Sequence, residues 1–244
     1  MTDCTVDGDI ATVWLARGSA RNALPTGGWG ALADRVAGLA VADVRAVILA
    51  SREGGIFCAG ADIAEFADLQ RDPARRTAFR AQLSAAIEGI AALPMPVVAA
   101  VDGGCFGAGV ALMLACDIAI AGDGAHFAVP PARLGILYPP ADVARLVAAV
   151  GRGHAARLLY GGDTIDADAA LALGLVHQRS GDPLADARTL ATRIAANAPQ
   201  AVRGLKQAID GVPGGEARFD AAFDGAELRE GLAAFRERRP PVFR

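Results

Sequence analysis

The chain has 244 residues, 53% of them hydrophobic but only 5% aromatic, enough for one large domain whose core is built from Ala, Val, Leu and Ile. A net charge of −3 and a pI near 5.6 exclude the basic footprint of a nucleic-acid binder, and no Lys/Arg block marks a membrane-surface patch. The longest apolar run, 110–121, is interrupted by Asp117 and falls short of the roughly 20 residues of a membrane span.

In chain order, Ile10–Leu15 alternates and predicts a strand, and Pro25-Thr26 opens a helix over 26–40 with Thr26 as its cap. The β-branched run 44–50 predicts a buried strand, 62–69 a helix, and Asp72-Pro73 the start of a longer amphipathic helix to about 93. A second buried strand is expected at 97–101, a helix at 107–116 and a strand at 117–121. Helical patterns follow at 143–150, 154–160 and 166–173, then at 183–197, 199–210 and 216–236. The alternation of strand and helix in the first two-thirds implies an α/β core, here bounded as 1–185, and residues 186–244 read as a helical appendage. No exact repeat occurs, though the β-then-helix unit recurs.

The start of the chain is acidic and lacks an apolar segment, so no signal peptide is expected. Cys4, Cys58, Cys105 and Cys116 form no C-x-x-C pair and read as free thiols in a reducing cytoplasm. His126, His154 and His177 are dispersed without metal-ligand spacing, so no metal site is expected.

Two stretches carry the chemistry: IFCAGADIAEF at 56–66 and PVVAAVDGGCFGAGVALMLACD at 96–117. Each runs from a buried strand through a Gly-rich turn into a helix. Such turns can aim free backbone N–H groups at one point, which is the construction of an oxyanion hole. On spacing alone the glycines could serve only tight turns and close packing, and Asp62 could be only an N-cap.

The first stretch resembles the F-S-A-G-x-D-I signature of the crotonase superfamily, the enoyl-CoA hydratase/isomerase family. The second resembles that family's P-V-I-A-A-V-x-G-x-x-x-G-G-G-x-x-L-x-x-x-C-D segment. Leu134-Gly135, Gly162-Asp163, Gly174-Leu175-Val176 and the tail 230–240 continue the likeness over essentially the whole chain. The resemblance implies a crotonase-like ββα spiral core and a C-terminal helical trimerisation region, with a homotrimer or a dimer of trimers as the assembly. It implies an acyl-CoA thioester substrate, with CoA part of the substrate and no separate cofactor. Position by position, the N–H groups of Ala61 and Ala108 would form the oxyanion hole. Arg21-Asn22-Ala23 matches an early CoA-contacting segment, with Arg21 and Ala23 as its contacts, and Ala59, Gly60, Asp62, Ile63 and Ala64 would edge the adenine and pantetheine.

The chain departs from the family where hydratases carry two glutamates: Ala111 and Pro131 stand there, and Pro139 stands where some members use an aspartate. Each positioned acid or base is worth about 10²–10⁴ in rate, so ordinary hydration is expected to be badly impaired. Tyr138, in LGILYPP at 134–140, resembles the L-G-V-P-Y segment of methylmalonyl-CoA decarboxylases. Loss of CO₂ generates an enolate without a base, so Tyr138 reads either as a weak acid for such a lyase or as a half-buried Tyr bonded to a backbone carbonyl. Asp142 reads as a helix N-cap or as an acid–base group, and Glu65 as part of a capping box or as a rim residue. Arg75, Arg76 and Arg80 share a helix face, solvated or turned to CoA phosphates. Three functions stay open: an enolate-forming isomerase or lyase, a weak hydratase using Asp142 or Glu65 through water, and a non-catalytic acyl-CoA-binding protein.

Overall fold

The computed structural model describes residues 1–243. The chain opens with a hairpin of β1 (Thr2–Asp7) and β2 (Ile10–Leu15), turning at Gly8 with φ +54°. The acidic, exposed β1 lacks an apolar pattern, and its only sequence signal is the Asp7-Gly8 turn. Next come α1 (Thr26–Ala40), β3 (Ala46–Ser51) and β4 (Ile56–Cys58). A 3₁₀ turn at Ile63–Glu65 leads to α2 (Phe66–Arg71), then α3 (Pro73–Ala91), so the helix expected at 62–69 breaks in two. After β5 (Val97–Val101) and β6 (Gly104–Phe106) come α4 (Ala108–Leu114), β7 (Ile118–Gly122), β8 (His126–Ala128) and a second 3₁₀ turn at Pro131–Leu134. The helices expected at 143–150 and 154–160 follow one another within α5 (Pro140–Gly161), parted at Gly151, whose φ +76° and ψ 160° are not helical. The chain continues through β9 (Ile165–Asp166), α6 (Ala167–Leu173), β10 (Gln178–Ser180), α7 (Pro183–Ala195) and α8 (Pro199–Ile209). The last expected helix is split by Asp224-Gly225 into α9 (Gly215–Phe223) and α10 (Ala226–Glu237).

The strands form two sheets. The larger has the order β1-β2-β3-β5-β7-β10, parallel except for the β1–β2 pair, and the smaller has the order β4-β6-β8-β9. Successive strands are dealt alternately, β3, β5 and β7 to the large sheet and β4, β6 and β8 to the small one. This is the ββα spiral expected from the resemblance.

Central strands covered on both faces read as unbroken apolar runs. In β3, Val47 and Leu49 face the main core with Trp29, Leu32 and Ile87, while Ala46, Ile48 and Ala50 face Ala187 and Ala191 of α7. Because α7 packs on the large sheet, the 185/186 boundary falls inside a core helix, and the projecting helices start at α8.

Candidate active site

The smaller sheet positions the site. Strands β4 and β6 are parallel neighbours with Cys58 opposite Cys105. Ala61 and Ala108 each lie three residues beyond that pair, so the turns that follow the two strands run side by side. Gly60 takes φ +93°, and a Cβ on it would stand 2.7 Å from Phe106 O and 3.0 Å from Ala108 N. A Cβ on Gly109 would stand 2.5 Å from Cys58 O. The glycines thus let two backbones touch where no side chain fits.

Hydrogen bonds account for the amides around the two turns. Ala59 N–H donates to Arg21 O, Asp62 N–H to Leu24 O, and Gly107 N–H to Ala128 O; Gly60 O accepts from Leu24 N–H. Gly60 N–H reaches the buried Cys58 Sγ at 3.4 Å. Among the described residues, the N–H groups of Ala61 and Ala108 have no partner. Both residues are half-buried; the N–H groups of Ile63 and Gly109, next along each turn, are likewise unpartnered.

Three contacts hold the first turn. Asn22, fully buried with φ +55°, donates to Ser51 Oγ at 2.7 Å and Phe57 O at 3.1 Å, and its Oδ1 accepts from Arg17 N–H. Asp62 caps the 3₁₀ turn by accepting from Ala64 N–H and pairs with Arg17 at 2.7 Å. That guanidinium holds the Asp62 carboxyl below its usual range. Glu65 corrects two expectations at once. It makes no capping box with Asp62, and Thr26 is not a cap. Instead, Glu65 Oε2 accepts from Thr26 N–H at 2.7 Å and Thr26 Oγ1 at 2.8 Å, closing the start of α1 from a distant segment. Of the expected CoA-edging residues, Ala59, Gly60 and Asp62 line the turn, and Arg21 lies over the Phe106 ring at 5.8 Å. The carbonyl of Ala23 accepts from Arg17, and Ile63 and Ala64 are exposed. The likeness puts Asn22 in the CoA-contacting segment but not in this anchoring role, for which the tolerance of Asn for left-handed backbone is the signal, and nothing in the linear pattern marks Arg17.

On the other side of the pair, Tyr138 Oη donates to Gly107 O at 3.0 Å. Burial pushes the phenol well above its usual pKa. The three positions where an acid is familiar hold none: Ala111 is fully buried in α4, Pro131 starts a 3₁₀ turn, and Pro139 precedes α5. Asp142 is not the N-cap of α5, which begins at Pro140 with Pro139 in the capping position. It lies within the first turn, 3% exposed, with Arg145 at 3.3 Å, and Arg145 continues to Glu88 of α3 at 2.5 Å. Burial raises the Asp142 carboxyl to about 6, against the pull of Arg145. On α3 and the segment before it, Arg75 pairs with Asp68, and Arg75, Arg76 and Arg80 are exposed. Among the described residues no group of three or more His, Cys, Asp or Glu could hold a metal ion, and no helix is long and apolar enough to cross a membrane.

Two unpartnered amides on adjoining turns can both donate to one oxygen, which suits a carbonyl that becomes an oxyanion. Comparison with known proteins fits this geometry. Residues 5–244 match the family model described as enoyl-CoA hydratase/isomerase. The mitochondrial methylglutaconyl-CoA hydratase of Rattus norvegicus is 33% identical over 216 residues, 82% of this chain and 68% of that protein. A Hyphomonas neptunium protein described as belonging to the enoyl-CoA hydratase/isomerase family superposes with TM-score 0.95 at 33% identity, covering 100% of this chain and 97% of that one. The enoyl-CoA hydratase of Bacillus anthracis gives TM-score 0.93 at 29% identity, with 99% and 98% covered. The chain belongs to the enoyl-CoA hydratase/isomerase family of the crotonase superfamily.

Proposed function

We propose that the protein binds an acyl-CoA ester and holds its thioester oxygen between the amides of Ala61 and Ala108, stabilising an enolate. One observation carries this reading: two touching Gly-rich turns leave the half-buried amides of Ala61 and Ala108 without a partner at equivalent positions, three residues past the paired Cys58 and Cys105. Arg21 and the 59–64 edge offer the surface along which CoA would lie. With Ala111, Pro131 and Pro139 supplying no proton, addition of water to a 2-enoyl-CoA is expected to be slow, and steps that reach the enolate by isomerisation or loss of a group from the α-carbon are favoured. Asp142, whose buried carboxyl is raised to about 6 and whose charge is felt at Tyr138, is the carboxyl assigned to handle a proton. By family, the working form is a homotrimer or a dimer of trimers, and its unpaired buried thiols suit the cytoplasm.

Ala108→Pro tests the reading. Position 108 starts α4, where proline is tolerated, and the change removes the amide hydrogen, with the ring Cδ taking its place. Crotonyl-CoA, a 3-enoyl-CoA and methylmalonyl-CoA form the substrate panel. Turnover of a panel member is expected to fall about 10²–10³-fold in the variant with the fold retained. Equal turnover in both proteins overturns the oxyanion reading, fast hydration of crotonyl-CoA overturns the reading of positions 111 and 131, and tight binding without turnover leaves an acyl-CoA-binding protein.

A further inference from the structure

We propose that Tyr138 is a positioning residue that acts through the Gly107–Ala108 peptide. Its O–H fixes the carbonyl of that unit and thereby aims and strengthens the N–H on the opposite edge. The inference rests on the oxyanion reading above and gives Tyr138 a role other than that of proton donor.

The hydrogen bond from Tyr138 Oη ends on Gly107 O, and the N–H of Ala108 belongs to the same planar group. Anything that fixes one edge of the plane fixes the other. The peptide needs fixing. It follows a glycine at φ +52° and ψ −123°, with nothing within 4 Å of where a Cβ would stand. Rotation of the plane there meets little steric resistance. Two donors oppose it: Tyr138 Oη at 3.0 Å and Val110 N–H at 2.9 Å, both on Gly107 O. Donors on a carbonyl also polarise the amide, strengthening its N–H as a donor in turn.

The anchor is stiff as well. Tyr138 is followed by Pro139 and Pro140, the capping and first residues of α5. Proline fixes φ at both, so the phenol is carried by a rigid helix start. The burial that raises the phenol pKa keeps it protonated and donating across the working range. Its hydrogen is engaged by Gly107, which leaves the catalytic proton to another group.

The test reads the carbonyl itself. The probe is butyryl-CoA labelled with ¹³C at the thioester carbonyl; being saturated, it is neither hydrated nor isomerised. Infrared difference spectra of the wild-type complex should show the carbonyl stretch moved to lower frequency than in free butyryl-CoA. In Tyr138→Phe the stretch should return part of the way, with probe affinity changed less than about threefold. For a substrate turned over by the wild type, kcat should fall about 3- to 30-fold at nearly constant KM, less than the loss of a whole oxyanion donor.

A second variant covers the case in which Tyr138→Phe does not fold. The chain has two tyrosines, and Tyr160 is 78% exposed. In a Tyr160→Phe background, growth on 3,5-difluorotyrosine labels Tyr138 alone with a stronger donor of nearly the same shape, and the stretch should move further down. If the wild type shows no carbonyl shift, the oxyanion reading fails. If the wild type shifts but neither variant differs from it, the role given to Tyr138 is overturned.

Discussion

Asp142 shows how a single residue can work against the fold it belongs to. Its carboxyl is held at about 6 in the folded chain against 3.8 in the unfolded one, because burial penalises the charge more than Arg145 rewards it. The sign follows directly. Between those two values the folded state binds the extra proton, so this group's contribution to stability is full below pH 3.8 and is lost as pH rises to about 6. Each pKa unit is worth about 1.4 kcal/mol, so ionised Asp142 costs on the order of 2–3 kcal/mol at neutral pH. Asp142→Asn should therefore be more stable than the wild type in urea at pH 7, with the gain shrinking towards pH 4. A gain that does not vary with pH would show that burial of the charge is not its source. The same substitution should remove proton handling, so stability and turnover should move in opposite directions. None of this is visible in the linear pattern, where Asp142 looks like a cap beside two prolines. What the pattern does contain is the pair of backbone donors, because glycine spacing constrains a turn directly. Tyr138 is legible as far as a half-buried phenol on a backbone carbonyl, whereas Glu65 and Asn22 acquire their roles only from segments brought to them by the fold.

The helices beyond residue 197 attach to the core through an unusual contact. Lys206 of α8 is the only lysine in the chain and is 7% exposed, its ammonium on Asp117 Oδ2 at 2.8 Å and Met95 O at 3.3 Å. Asp117 Oδ2 also accepts from Val97 N–H at 2.7 Å, so one carboxylate joins α8 to the start of β5. Lys206→Met keeps the stem and removes the charge-assisted bonds, which should cost about 1–3 kcal/mol. For a chain of this length that lowers Tm by roughly 2–4 °C per kcal/mol. Amide exchange in 199–209 should rise while β3 and β5 stay protected. Unchanged exchange in α8 would show that Lys206 is not the tether. At this scale the sequence reads well where an element is long and buried: β2, β3, β5, α1 and α3 lie within a few residues of their expected bounds. It reads poorly where elements are three residues long. β4, β6 and β8 carry no period of their own and exist because the large sheet delivers them in parallel. By contrast, the two helical stretches of α5 are legible, because Gly151 leaves the helical conformation between them.

The molecule as a whole is unevenly finished. Its core side chains are packed, yet α8 to α10 bury Lys206 and leave Leu205, Ile209, Phe219, Phe223 and Phe235 between 63% and 85% exposed. Phe219 and Phe223 pack on each other edge to face at 5.3 Å, forming one raised apolar ridge. Exposed apolar surface of this extent marks an interaction site, and a ridge carried by every copy can be covered by symmetric association of copies. Fully burying a phenylalanine is worth about 1.5–3 kcal/mol, so a few of them per protomer suffice for a stable assembly. If the copies associate as the family assembly proposed above, sedimentation at micromolar concentration should give three times 24.9 kDa, or twice that again. Tm should rise with protein concentration, because association stabilises the folded chain by mass action. Phe219→Asp combined with Phe223→Asp should lower the sedimenting mass and abolish the concentration dependence. The variant monomer should keep the β4–β6 turns, since the hydrogen bonds that shape them lie within 17–138. A wild-type chain that sediments at 24.9 kDa would overturn the trimer and leave the ridge for a different partner.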